Sequence, residues 1–161
     1  MRVLFVRHAA AEDRASSSGL DLDRRLTDEG RDDARAMFTS LSKLYPQPNL
    51  IISSKARRAR ETAKIFSLCF GKTEVIESDQ LNPGCGFKEF RTLMGGLAGR
   101  ELVVFVGHEP DFSNILGQII GDGGLRIDVK KASCIEVDIN SICKGELKLV
   151  LTPKAVAKLA R

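Results

Sequence analysis

Tryptophan is absent from this 161-residue sequence, tyrosine occurs once and histidine twice. With no aromatics interleaved among its basic residues, the chain lacks the stacking platforms of single-strand binders, so nucleic acid is not an expected partner. No apolar run approaches the roughly 20 residues of a membrane span. Arg7-His8 stops the first apolar run after four residues, too short for a signal-peptide core. The four cysteines (Cys69, Cys85, Cys134 and Cys143) form no Cys-x-x-Cys pair and no tight cluster. That spacing points to neither a disulfide framework nor a zinc site; reduced thiols in a cytoplasmic protein are expected. A phosphate-cradling Gly-x-x-x-x-Gly-Lys loop and a serine or cysteine nucleophile elbow are also missing.

What is present reads as one globular domain over residues 1–161. A hydrophobic share of 43% with 29% charged residues excludes a disordered chain. The net charge of +4 fits an anionic small substrate, an acidic partner or simply a basic surface. Val3-Leu4-Phe5-Val6 reads as a buried strand ending at Arg7-His8, and Leu102-Val103-Val104-Phe105-Val106 as a second, central one ending at Gly107-His108. In an open α/β sheet, ligands bind beyond the carboxyl ends of the strands. The only two histidines therefore stand where one pocket could hold both.

Between those strands the chain alternates. Residues 9–26 read as a polar loop around Ser16-Ser17-Ser18-Gly19, either a mobile element beside the site or a tolerated surface loop. Thr27 caps a helix whose apolar face is Ala34, Met37, Phe38, Leu41 and Leu44, ended by Pro46 and Pro48. Leu50-Ile51-Ile52 is a strand, and Ser54 a cap for a helix with Ala56, Ala59, Ala63, Phe66 and Phe70 inward. Arg57, Arg58 and Arg60 at that helix start are either a solvated basic face or part of an anion site at the helix N-terminus. A strand at 74–76, a turn-rich loop at 81–86 and a helix over 87–98 precede the central strand. A further helix starts near Asp111 or Ser113. Residues 134–139 alternate with period two, pair antiparallel with 147–151, and Pro153 opens a last helix with Ala155, Val156 and Leu159 inward. The expected fold is a three-layer α/β/α sandwich with a mostly parallel sheet and an antiparallel C-terminal edge.

An imidazole can be a metal ligand, a base, a nucleophile or a core filler. No Cys, Asp or Glu cluster at ligand spacing accompanies either histidine, so no metal or other cofactor is expected. Arginine beside one histidine, a second histidine and arginines at a nearby helix start suit a phosphoryl group, because guanidinium forks match phosphate oxygens. A neutral histidine can itself be phosphorylated. Against this stands the plain alternative that one or both histidines are structural.

Four segments in order bear on that choice. Leu4-Phe5-Val6-Arg7-His8-Ala9 resembles the Arg-His-Gly signature of the histidine phosphatase (phosphoglycerate mutase-like) superfamily, and its Arg-His-Ala form resembles the SixA-type phosphohistidine phosphatases. Leu26-Thr27-Asp28-Glu29-Gly30 is similar to that family's Leu-Thr-x-x-Gly segment. Ser54-Lys55-Ala56-Arg57-Arg58-Ala59-Arg60-Glu61-Thr62 is similar to its Ser-Pro-x-x-Arg-Ala-x-Gln-Thr motif, and Gly107-His108-Glu109-Pro110 to its Gly-His-x-Pro motif. The resemblance implies that His8 is a transiently phosphorylated nucleophile, with Arg7, Arg58 and His108 on the phosphoryl oxygens and the Glu109 N–H as a further donor. Counting from Ser54 and back from Thr62 selects Arg58 over Arg57. Lys55 stands in place of the usual proline and Glu61 in place of glutamine.

The acid with which larger relatives protonate a leaving alkoxide has no clear counterpart; Glu89 is a candidate by position only. Without an acid, a phosphoramidate suits the site better than an aliphatic phosphoester. The expected activity is that of a metal-independent phosphatase acting on phosphohistidine of a protein, such as a phosphorelay domain, releasing inorganic phosphate. The alternatives are a small phosphomonoester as substrate, or a non-catalytic protein that binds phospho-ligands.

Overall fold

The computed structural model describes residues 1–14, 19–140 and 143–159. Ser16 to Ser18, the centre of the expected loop, lie outside the described residues.

One sheet of six strands organises the chain: β1 (Arg2–Arg7), β2 (Leu50–Ser54), β3 (Val75–Ser78), β4 (Leu102–Gly107), β5 (Cys134–Ile139) and β6 (Gly145–Leu151). Their order is β3-β2-β4-β1-β5-β6. The pairs β3–β2, β2–β4 and β4–β1 are parallel, while β1–β5 and β5–β6 are antiparallel. The strands with the longest apolar runs, β4 and β1, are adjacent at the centre, buried on both faces.

Side chains alternate across this sheet and so build two cores. On one face Leu4, Val6, Val104 and Val106 pack against α1 (Asp28–Leu41) and α2 (Arg57–Cys69), with Val156 of α5 (Pro153–Leu159) at the margin. On the other, Val3, Phe5, Val103 and Phe105 meet Phe90 of α3 (Phe87–Gly95) and Phe112, Ile115 and Ile119 of α4 (Asp111–Ile120). The result is the expected three-layer sandwich.

Several local expectations need correction. The α1 helix stops at Leu41, before the prolines, and Leu44 is exposed. The chain turns early because Tyr45 leaves the helix to donate its hydroxyl to Glu136 on β5. Gly96 ends α3 at Gly95, short of 98, and Phe90 is the buried residue within the helix. Leu159 lies outward. Ser54 belongs to β2, and α2 starts after Ala56 without a side-chain cap. Thr27 does cap α1, accepting from the Gly30 N–H at 3.0 Å. Gly30 has no room for a side chain: a Cβ there would lie 2.2 Å from the Ala10 carbonyl oxygen.

Candidate active site

The two central strands run parallel in register, Arg7 opposite Gly107, so the residues that follow them emerge side by side. His8 and His108 face each other with ring centroids 5.2 Å apart. They line a cleft of about 360 Å³ together with Arg7, Arg58, Glu109, Ala11, Arg14, Asp21, Arg24, Pro83 and Lys131. The five residues to which the resemblance gives a role, Arg7, His8, Arg58, His108 and Glu109, thus reach one place.

The His8 backbone is fixed from several sides. Its N–H donates to Gly107 O at 3.0 Å, and its carbonyl accepts from Ala132 N at 3.3 Å. The next N–H, of Ala9, donates to Thr62 Oγ1 at 3.1 Å, and the Thr62 hydroxyl donates to Arg58 O at 2.7 Å. One threonine therefore ties the end of β1 to the turn of α2 that carries Arg58.

Hydrogen bonds also set both ring tautomers. His8 Nδ1 lies 2.7 Å from Ala9 O, a pure acceptor, so Nδ1 carries the proton. Nε2 is then a lone pair, and Arg58 Nε donates to it at 3.2 Å. His108 Nδ1 lies 3.4 Å from Arg58 Nη2, which can only donate, so its proton sits on Nε2 and goes to Ser54 Oγ at 2.8 Å. Ser54 Oγ in turn accepts from Ala56 N and donates to Asn82 Oδ1. The serine read as a helix cap is a second-layer support for His108.

Burial lowers both imidazoles to about 3. For His8, Arg58, Arg7 and Lys131 add to the effect and the Ala9 carbonyl opposes it; for His108, His8 and Arg58 add and Asp21 opposes. His8 is accordingly neutral at physiological pH, with its Nε2 lone pair turned into the cleft, the state a nitrogen nucleophile needs.

Arg58 is buried, 3% exposed, despite its charge. Arg57, one residue earlier, turns away and pairs with Glu61 at 2.8 Å. Arg7 donates from Nη1 to Val129 O at 2.7 Å, while its buried Nε–H finds no partner among the described residues. A desolvated donor left unpaired costs free energy unless an oxygen arrives to take it. Glu109 lines the cleft and accepts from Ser113 N at 3.0 Å; burial raises its carboxyl above the usual range. Glu89 does not line it. That carboxylate closes the first turn of α3, where the N–H groups of Glu89 and Gly86 hold it low.

Among the cleft residues that escaped sequence reasoning are Asp21, Arg24 and Arg14. They sit in the polar stretch before α1, where no periodicity marks them. Asp21 lies in a short 3-10 turn (Asp21–Asp23) and accepts from Arg58, Arg24 and Arg14 at 3.0, 2.9 and 3.1 Å. Burial opposes its ionisation, but the arginines outweigh burial and hold the carboxyl below its ordinary range. Among the described residues no group of three or more His, Cys, Asp or Glu side chains is placed to hold a metal ion, and no helix is long and apolar enough to cross a membrane.

A neutral histidine at a strand end, ringed by arginines, is a pocket suited to a phosphoryl group. The chain belongs to the histidine phosphatase superfamily (branch 1), whose family model matches residues 3–83, a stretch holding Arg7, His8 and Arg58. Its fold is similar to that of the protein histidine phosphatase SixA complexed with tungstate, with a TM-score of 0.88 at 19% identity over 97% of this chain and 99% of that one. It is also similar to the alpha-ribazole phosphatase from Shigella flexneri, with a TM-score of 0.73 at 16% identity over 95% and 97% of the two chains. In sequence, it is 29% identical to an uncharacterised protein of Picosynechococcus sp. over 96% of this chain and 98% of the relative.

Proposed function

We propose that this chain is a cytoplasmic, metal-independent phosphatase that removes the phosphoryl group from phosphohistidine of a protein, such as a phosphorelay domain, through a covalent phospho-His8. The observation that carries the reading is the His8 tautomer: Nδ1–H on the Ala9 carbonyl leaves the Nε2 lone pair in the cleft beside Arg58. Arg58 Nε and Nη2 flank the space that a phosphoryl group on Nε2 would fill, and the Arg7 guanidinium lines the same cleft. Such preorganised donors supply most of what phosphoryl transfer requires. The Glu109 N–H, directly after His108, is assigned as a further donor to that group.

In the first step Nε2 attacks phosphorus and the donor's P–N bond breaks. A donor phosphoimidazole protonated on its other nitrogen leaves as neutral imidazole, and phospho-His8 becomes the imidazolium, its Nδ1–H still on Ala9 O. Charge and protons balance without an acid. Water then attacks phosphorus, the P–Nε2 bond breaks, both water protons leave on dihydrogen phosphate, and His8 returns neutral.

Two further observations support a phosphoramidate substrate. Asp21, held ionised by arginines, is a poor proton donor. The fold is also more similar to that of the protein histidine phosphatase SixA, at a TM-score of 0.88, than to that of the alpha-ribazole phosphatase, at 0.73. One observation favours a phosphomonoester instead: Glu109 lines the cleft with its carboxyl raised by burial, the property of an acid that could protonate a leaving alkoxide.

The test is phosphate release from a phosphohistidine-bearing protein beside para-nitrophenyl phosphate, with EDTA present. Wild type should prefer the phosphoramidate, and His8→Ala should lose turnover by roughly a thousandfold or more. Glu109→Gln should leave the phosphoramidate rate intact. Turnover of esters alone, lost in Glu109→Gln, would move the assignment to a phosphomonoester; full activity in His8→Ala would end it.

A further inference from the structure

Arg58 offers two edges of its guanidinium. Nε and Nη2 make the inner edge, 3.2 Å from His8 Nε2 and 3.4 Å from His108 Nδ1. Nη1 and Nη2 make the outer edge, and both of its bonds go to one residue: Nη1 donates to the Asp21 carbonyl at 2.7 Å and Nη2 to Asp21 Oδ2 at 3.0 Å. The other carboxylate oxygen, Oδ1, accepts from Arg24 and Arg14. Arg24 is itself anchored through Nη1 on Glu12 O at 2.7 Å.

We propose that Asp21 is a positioning residue of the phosphoryl pocket, clamping the outer edge of Arg58 so that its inner edge faces both histidines. The proposal rests on reading the cleft as a phosphoryl site, but concerns a residue that touches Arg58 rather than the reacting atoms.

The geometry argues for positioning over simple pairing. Arginine has four rotatable side-chain bonds, and His8 and His108 together offer Arg58 only weak, long contacts. The two-point contact from Asp21 fixes the plane and the rotation of the guanidinium at once. It also leaves the inner edge free, because the Asp21 oxygens take only Nη1 and one N–H of Nη2. When a phosphoryl group sits on Nε2, its oxygens meet Nε–H and Nη2–H already aligned, and little reorganisation remains for the transition state. Three arginines on one carboxylate further keep Asp21 ionised and the clamp intact. Asp21, in its 3-10 turn, thereby forms part of the cleft wall with Arg14 and Arg24.

Vanadate binding, followed by calorimetry on the intact chain, tests this without requiring turnover. Vanadate mimics the five-coordinate phosphorus on Nε2. Asp21→Ala should weaken it by roughly tenfold or more, and Arg58→Ala at least as much. The double variant should bind no more weakly than Arg58→Ala alone, because a clamp has no effect once its object is gone. Asp21→Asn, which keeps the shape, the main-chain acceptor and one side-chain acceptor, should recover part of the loss. Losses that add in the double variant would overturn the proposal, as would Asp21→Ala binding within twofold of wild type, or Asp21→Asn binding no better than Asp21→Ala. Wild type that binds vanadate but fails on phosphohistidine would sink the substrate assignment while leaving the Asp21 clamp standing.

Discussion

Replacing both His8 and His108 by asparagine should flatten the dependence of folding stability on pH between 7 and 5. Each imidazole titrates at 6.5 when free in the unfolded chain and at about 3 in the fold. A depressed histidine pKa means that the unfolded state binds the proton more tightly. The stability held above 6.5 is therefore lost as pH falls through the window from 6.5 toward about 3. At pH 5 both folded-state values still lie below the solution pH. The loss there depends only on the distance of the pH from the unfolded value: about 2 kcal/mol per histidine, or about 4 kcal/mol for the pair. For a chain of this length that is a fall in Tm of roughly 10 °C. Glu109 and Asp111, both raised by burial, act in the opposite sense and strengthen the fold as they protonate. They remain in the variant, so the difference between the two proteins isolates the histidines. The assay is urea unfolding at pH 7 and pH 5 for wild type and for the double variant. Parallel losses in the two proteins would refute the claim that both rings are held neutral by burial.

Two further substitutions examine the scaffold. Thr62→Val removes the acceptor for the buried Ala9 N–H and should destabilise the chain by about 1–3 kcal/mol in urea unfolding, lowering turnover as well because Ala9 holds His8. Gly30→Ala would stabilise an ordinary helix by about 1 kcal/mol. Here the Cβ would meet a main-chain oxygen at 2.2 Å, so a net loss of about 1–3 kcal/mol is expected, and any gain would show that the Ala10 turn can yield.

The parts of the site that the sequence discloses are those set by strand ends and helix phase. His8 and His108 are legible because each follows an unbroken apolar run, and parallel pairing in register brings such ends together. Arg58 is legible for a related reason. It lies on the same α2 face as Ala59, Thr62, Ala63 and Phe66, all buried, while Arg57, Arg60 and Lys64 share the polar side. Asp21 is not legible, since nothing local in a polar stretch says which carboxylate will meet an arginine 37 residues later. Leu44 and Leu159 mislead for the converse reason: helical spacing continues past the point where the chain has left the core.

Glu61 shows how the two kinds of residue are joined. By family resemblance it is a departure, a carboxylate in place of an amide. In the structure it accepts from Leu26 N at 3.1 Å and Arg31 Nη2 at 2.8 Å, while its other oxygen takes Arg57 Nε at 2.8 Å. The first turns of α2 therefore hold the segment before α1 at two points, Arg58 on Asp21 and Glu61 on Leu26, with Arg24 on Glu12 between them. An amide's one oxygen could accept from Leu26 N and Arg31, but its NH₂ could not accept from Arg57 or balance two guanidinium groups. The carboxylate also pairs with Arg57, which helix phase turns off the cleft. The residue that looks like a departure in the motif thus helps fix the stretch on which the Asp21 clamp depends.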